Sequence, residues 1–318
     1  MGELQLSSKF KKENKKSKWQ IIKKDFKINK YVYLMAIPMV VYFILFHYIP
    51  MYGIVIGFKD FSPRIGIWGS PWVGLKHFKE FFDSLYFSRT VRNTALLSLY
   101  SLLWGFPASI ILALLLNEIR REKFKRCIQT ITYLPHFISL VVICGLIVDF
   151  TSTDGLFNAI LSNFGVEATN WLTKPEWFRT IYIGSGIWQS IGWDSIIFLA
   201  ALTGIDPSLY EAAKIDGAGR WKQMLHVTLP GLMPTIVIML ILNIGGLMSV
   251  GYEKIILLYN SLTYETADVI SSYVYRKGLQ GGDYSFSTAV GLFESIIGFT
   301  LLIIANKLSK KITEQSLW

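Results

Sequence analysis

Six stretches of this chain are apolar for roughly twenty residues or more, and that property limits the possible fold more than any motif does. They lie at 31–58, 93–117, 128–150, 181–202, 231–252 and 286–304. A helix rises about 1.5 Å per residue, so roughly 20 residues cross the ~30 Å of hydrocarbon in a bilayer. In lipid every backbone N–H and C=O must be paired inside the segment, which makes runs of this length helices. The expected fold class is therefore all-α, a polytopic transmembrane helical bundle of about six spans. Pro38 and Pro50 interrupt the first run and Pro107, Pro135 and Pro234 fall in later ones, where neighbouring groups must re-satisfy the freed carbonyls.

Composition agrees. The chain is 52% hydrophobic and 17% charged, whereas soluble domains carry about 25% charged residues. Two soluble domains are excluded, and the sequence divides into a basic tail at 1–30, a membrane domain at 31–306 and a short tail at 307–318. The first run is too long for a cleaved signal peptide and reads as an uncleaved span. Cys127 and Cys144 lie in or beside one apolar run and read as packing residues rather than a disulfide framework.

Basic residues are retained on the cytoplasmic side of a membrane. With the N-terminus inside, the inner segments hold 21 Lys and Arg and the outer ones 11, so both termini are read as cytoplasmic. The lysine-rich head is then a topogenic tail that also meets anionic lipid, and no nucleic-acid partner is assigned to it.

No enzyme motif emerges. Gly-Lys occurs nowhere, which removes a Walker A phosphate loop, and H-E-x-x-H, C-x-x-C and G-x-S-x-G are all absent. No catalytic residue, metal site or bound cofactor is expected of this chain.

One loop stands apart. Between the fourth and fifth runs, residues 206–234 read DPSLYEAAKIDGAGRWKQMLHVTLPGLMP, a charged segment facing the cytoplasm. Asp206 and Pro207 suit the start of a helix. Leu209, Ala212, Ala213 and Asp216 fall on one side of it, with the alanines forming a small flat patch. Gly217 and Gly219 are expected to break the helix. A second short helix from Arg220 groups Trp221, Met224 and Leu225, and Pro230 and Pro234 mark the return to the membrane. Chemistry alone leaves two readings open: an element lying on lipid headgroups, or a docking knob for a soluble partner.

The spacing of Glu211, Ala212, Ala213, Gly217, Leu229 and Pro230 resembles the EAA loop of membrane subunits of binding-protein-dependent ABC importers, with Val227 replacing the usual isoleucine. The stretches WVGLKHFKEFF (72–82), TYLPHFIS (132–139) and ADVISSYVYRKGL (267–279) look like the maltose-type permeases of its carbohydrate branch. The resemblance runs from about residue 30 to the C-terminus.

It implies a permease with a coupling loop at 206–230, gripped by a separate ATPase through Glu211, Ala212, Ala213, Asp216, Gly217, Gly219, Trp221, Leu229 and Pro230. ATP and Mg would be held by that ATPase. The implied partners are a second permease subunit, two ATPase subunits and an extracytoplasmic sugar-binding protein, in a cell membrane. A sugar passage offers polar groups beside aromatics, which makes Trp188, Trp193, Asp194, Asn243, Tyr252 and Glu294 its candidate lining. The competing expectation is a secondary transporter driven by an ion gradient, which favours broken helices and internal repeats.

Overall fold

The computed structural model describes residues 18–313, 316 and 317. The head through residue 17 and part of the C-terminal tail, both read as cytoplasmic tails, therefore lie outside the described residues. The chain divides into two compact units, Met1–Val55 and Ile56–Trp318. In the first, helix α1 (Lys18–Ile28) leads into α2 (Lys30–Phe58), whose last three residues fall in the second. The side chains of Tyr33 and Asn29 donate to the carboxylate of Asp25 at 2.5 and 2.7 Å across the short break between them.

The second unit carries α3 (Phe87–Glu118), α4 (Glu122–Tyr133), α5 (Leu140–Phe164), α6 (Pro175–Leu202), α7 (Pro207–Ile215), α8 (Arg220–Gly245), α9 (Tyr252–Leu258) and α10 (Tyr284–Thr313). Helices α2, α3, α5, α8 and α10 are each long and apolar enough to cross a membrane, and α6, bent by 75° into α7, supplies a sixth candidate span. Among the described residues there is no strand, only an isolated bridge from Lys59 to Trp72.

Two expected spans are redrawn. The third was placed at 128–150, but the helix breaks at Leu134–Phe137 and restarts at Leu140, because Pro135 lacks an N–H and disfavours helix in the residue before it. The fifth was placed at 231–252. It begins at Arg220, so the expected second loop helix is simply its first turns, and it ends at Gly245, leaving Tyr252 to open α9. Pro230 and Pro234 therefore lie inside a helix rather than marking its entry.

Three of the helical prolines are accommodated in the same way. Wider π-helical turns occupy Ile44–Tyr48, Ser101–Gly105 and Met224–Thr228, each ending two residues before a proline, at Pro50, Pro107 and Pro230. A proline ring clashes with the carbonyl one turn back and cannot donate to it; one extra residue in that turn relieves both problems.

Close helix crossings rely on glycine. A Cβ on Gly192 of α6 would lie 2.1 Å from the Thr132 carbonyl oxygen of α4. One on Gly298 of α10 would lie 2.7 Å from the Gly245 oxygen of α8. Such contacts let backbones approach where lipid supplies no hydrophobic drive for helix association. In the five helices that qualify as spans on their own, at most 22% of the apolar window is buried within the chain, so large apolar faces remain exposed for lipid.

The outward-facing segment between α8 and α10 is tied down by a polar knot. Asp268 is fully buried and accepts from Arg89 at 2.9 Å, Arg276 at 2.8 Å and the Ser272 hydroxyl at 2.7 Å. Asn93 of α3 donates to the backbone oxygens of Glu265 and Asp268, while its own side-chain oxygen accepts from Arg179 of α6 at 2.8 Å. Nearby, Lys277 pairs with Glu80, and their hydrogen bond holds the Glu80 carboxyl below its ordinary pKa.

Removing one member of a buried charge cluster leaves the others unpaired, at a cost of about 3–5 kcal/mol. Asp268→Ala is expected to lower the thermal midpoint of the detergent-purified protein by several degrees, whereas Asp60→Ala, at an exposed pair with Lys76, should shift it hardly at all. Equal midpoints for the two variants would contradict the assignment of the knot.

Candidate functional site

Two regions bring the sequence candidates together: the bent loop after α6 and a cavity beside α6 and α8. In the loop, the Asp206 side chain accepts from the Ser208 N–H at 2.9 Å and caps α7 with Pro207 in its first turn, as the residue types predict. That bond holds the Asp206 carboxyl below its ordinary pKa. At the other end Ala218 N–H donates to Ala213 O at 2.8 Å and Gly217 N–H to Lys214 O at 3.0 Å, the paired bonds of a Schellman cap. Gly217 has φ +75°, the left-handed conformation such a cap requires. Gly219 differs from expectation: its φ is −70° and it starts α8, so it does not exploit glycine's freedom.

The loop is braced against the membrane helices. The Tyr210 hydroxyl meets Thr228 Oγ1 at 3.1 Å, and Gln223 donates to Ala218 O at 2.7 Å. Ile205 packs so tightly on Gly231 that a Cβ there would come within 2.6 Å of it. Outside these contacts the loop presents Glu211, Ala212 and Asp216 to solvent, together with Ile215 at 87% and Trp221 at 72% exposure. Ala213 is half-buried, Leu229 half-buried and Pro230 exposed where α8 begins its apolar course. Exposed apolar side chains among charged ones, beside two spans, fit both a docking surface and a headgroup contact.

The cavity has a volume of about 690 Å³. Of the six passage candidates it gathers Trp193, Asp194 and Asn243, and adds Gln189, Ser190 and Lys254, which sequence reasoning did not single out. Trp193 is stacked by His136, with centroids 4.4 Å apart and planes 2° apart, and Phe137 meets it edge-on at 5.6 Å. The break at Pro135 thus folds the TYLPHFIS segment back onto the cavity wall. Asn243 donates to Met239 O at 2.8 Å.

The other candidates are elsewhere. Trp188 lines a separate apolar pocket with Trp171 and Trp177. Five residues along a helix turn about 140°, so Trp188 and Trp193 cannot share a face. Tyr252 and Glu294 line a third cavity of about 670 Å³, where Tyr252 stacks on Tyr275 at 5.1 Å and Glu294 Oε1 is buried without a hydrogen-bond partner. Gln189 and Ser190 share a face with Trp193 by helical spacing, a signal the sequence did contain. Lys254 had none, because α9 is placed by tertiary packing.

Residues 105–314 match the family of binding-protein-dependent transport system inner membrane components. The chain belongs to this family and is a multi-pass permease of the cell membrane. The polygalacturonan/rhamnogalacturonan transport system permease protein YteP of Bacillus subtilis (strain 168) is 48% identical over 91% of this chain and 90% of its own length. A crystal structure of a bacterial ABC transporter involved in the import of the acidic polysaccharide alginate contains a chain 45% identical, with a TM-score of 0.84 over 92% of this chain and 99% of that one. A second alginate transporter structure, in complex with an alginate pentasaccharide-bound periplasmic protein, matches at 44% identity and a TM-score of 0.84 over the same shares.

The two loop glycines give a sharp contrast. A β-branched residue in the left-handed region costs about 1–2 kcal/mol, so Gly217→Val is expected to speed hydrogen exchange of the Gly217–Ala218 amides about tenfold. Gly219→Ala, with open space around it, should leave exchange within about twofold. Mass-spectrometric exchange on the purified protein measures both.

Proposed function

We propose that this chain is one membrane half of an ATP-driven importer that carries an acidic oligosaccharide into the cell. A second permease subunit, two ATPase subunits and an extracytoplasmic binding protein complete it, with ATP and Mg on the ATPases. The carrying observation is that the EAA-type spacing lies on an exposed, capped helix braced against two spans. Two similar systems are named for polygalacturonan/rhamnogalacturonan and for alginate, both of which bear carboxylates, and one of the alginate structures includes a saccharide-loaded periplasmic protein. These names support the substrate class and the binding protein as partner.

The mechanism follows from the brace. ATP closes the ATPase pair, and the pair grips α7 through Glu211 and the small surface of Ala212 and Ala213. Because Gly217 fixes the turn from α7 into α8 and the Tyr210–Thr228 and Ile205–Gly231 contacts fix its base, α7 carries the inner ends of α6 and α8 with it. The bundle then rocks from inward-open to outward-open. ATP favours the outward state only in so far as closed ATPases fit that state better. The cavity between these two helices supplies the passage, with Trp193 for the apolar face of a sugar and Gln189, Ser190, Asp194 and Asn243 for its hydroxyls.

Ala213→Asp is expected to leave the complex assembled while cutting saccharide uptake per ATP hydrolysed by about tenfold or more, an uncoupling of more than about 1.4 kcal/mol. Uptake and phosphate release measured together in proteoliposomes check it, and normal coupling in this variant removes the docking assignment.

A further inference from the structure

The cavity beside α6 and α8 is lined by a cationic side chain that the proposed mechanism leaves unused. Lys254 stands on α9 at only 8% exposure and is the one basic residue lining the cavity. Its Nζ donates to the Tyr182 carbonyl oxygen at 3.0 Å and lies 4.8 Å from the centroid of the Tyr182 ring. Among the described residues it forms no ion pair.

An ammonium carries three N–H donors and no acceptor. One is taken by the Tyr182 carbonyl and the ring offers its face to the charge; the remaining capacity is directed at the cavity. A buried charge without a counter-charge is costly, so whatever occupies the cavity beside Lys254 is favoured if it brings an anion.

The one carboxylate lining the same cavity, Asp194, does not fill that role. Lys254 Nζ lies opposite Gly186, 3.4 Å from where a Cβ would stand on it, and Asp194 is eight residues further along α6. That places the two groups about 12 Å apart along the helix axis. With the outer end of α6 at Pro175 and its inner end at Leu202, the cation is on the entry side and the acid deeper. The other side chains named for the passage, Gln189, Ser190 and Asn243, carry no charge.

We infer that Lys254 is a specificity-determining residue of the passage, receiving the carboxylate of a uronate-bearing oligosaccharide as it enters from the extracytoplasmic side. This rests on the importer reading above and deepens it: acidic saccharides would be selected inside the membrane as well as by the binding protein. Hydrogen bonds to charged groups contribute more than neutral ones in such a setting, and a fixed cation on the entry side also draws an anion inward.

The test uses the complete importer in proteoliposomes, with trigalacturonate as the probe. Lys254→Gln is expected to lower uptake at saturating loaded binding protein at least about tenfold. The binding-protein concentration giving half-maximal rate should stay unchanged, as should ATP hydrolysis without binding protein. Lys254→Arg, which keeps the charge, should retain uptake within about threefold of wild type. If the Gln variant does not assemble, Lys254→Met, which keeps the apolar stem, is measured in its place. Undiminished uptake by the uncharged variant, or an equal loss in Lys254→Arg, overturns the role of Lys254 alone. A wild-type complex that moves no trigalacturonate overturns the acidic-substrate reading and the Lys254 assignment with it.

Discussion

Asp268, fully buried between Arg89 and Arg276, is the interaction on which the outward half of the second unit turns. Burying a carboxylate is costly unless cations and hydrogen-bond donors replace its water. Here two guanidinium groups and a serine hydroxyl do so, and the requirement fixes the relative positions of α3 and the segment between α8 and α10. Asn93 extends the network to Arg179 at the outer end of α6. Thr266 and Asn260 add bonds to the backbone oxygens of Pro175 and Leu172 at 2.7 and 2.8 Å. These bonds tie the segment to α3, to α6 and to the turn before it, and its placement sets α9 against the cluster of Ile143, Leu172 and Phe178. Lys254 reaches the cavity only because α9 is held there.

The close helix crossings are organised on a different principle. Where the knot is polar, these crossings are made at glycine: backbone against backbone at Gly192 and at Gly245 with Gly298, and against the Ile205 side chain at Gly231. Such surfaces transmit a push with little side-chain slack. The π-helical turn at Met224–Thr228 lies where α8 leaves the loop after α6, and the ladder of backbone bonds there is widened but continuous. Under the proposed importer reading, a capped loop helix, tight glycine crossings and a segment fixed by charge pairs make a rocking body rather than a deformable one.

Much of this was legible in residue order. Apolar run length gave the spans, because a bilayer has one thickness and a helix one rise. The cap at Asp206, the left-handed turn at Gly217 and the handle between them follow from local backbone chemistry that needs no tertiary partner. Gly219 was misjudged for a related reason: two glycines in one turn look alike in sequence, and only the dihedral angles tell which bears the positive φ. The third and fifth spans were misplaced because hydropathy does not sense a proline break inside a greasy run, or a helix that extends out of it.

The passage was only partly legible. Trp193 and Trp188 have the same composition signal, and helical phase separates them onto different faces; Tyr252 and Glu294 turned out to share a cavity with each other instead of with Asp194. The sequence by itself determined how many spans there are, where the handle starts and stops, and which family pattern it follows, because each of these is set by groups within a few turns of one another. Tertiary structure alone decided which side chains meet: the stack of His136 on Trp193, the charge knot at Asp268, and Lys254 at the cavity wall. Those contacts join residues far apart in the chain, and their positions depend on how whole helices pack, which no local periodicity encodes.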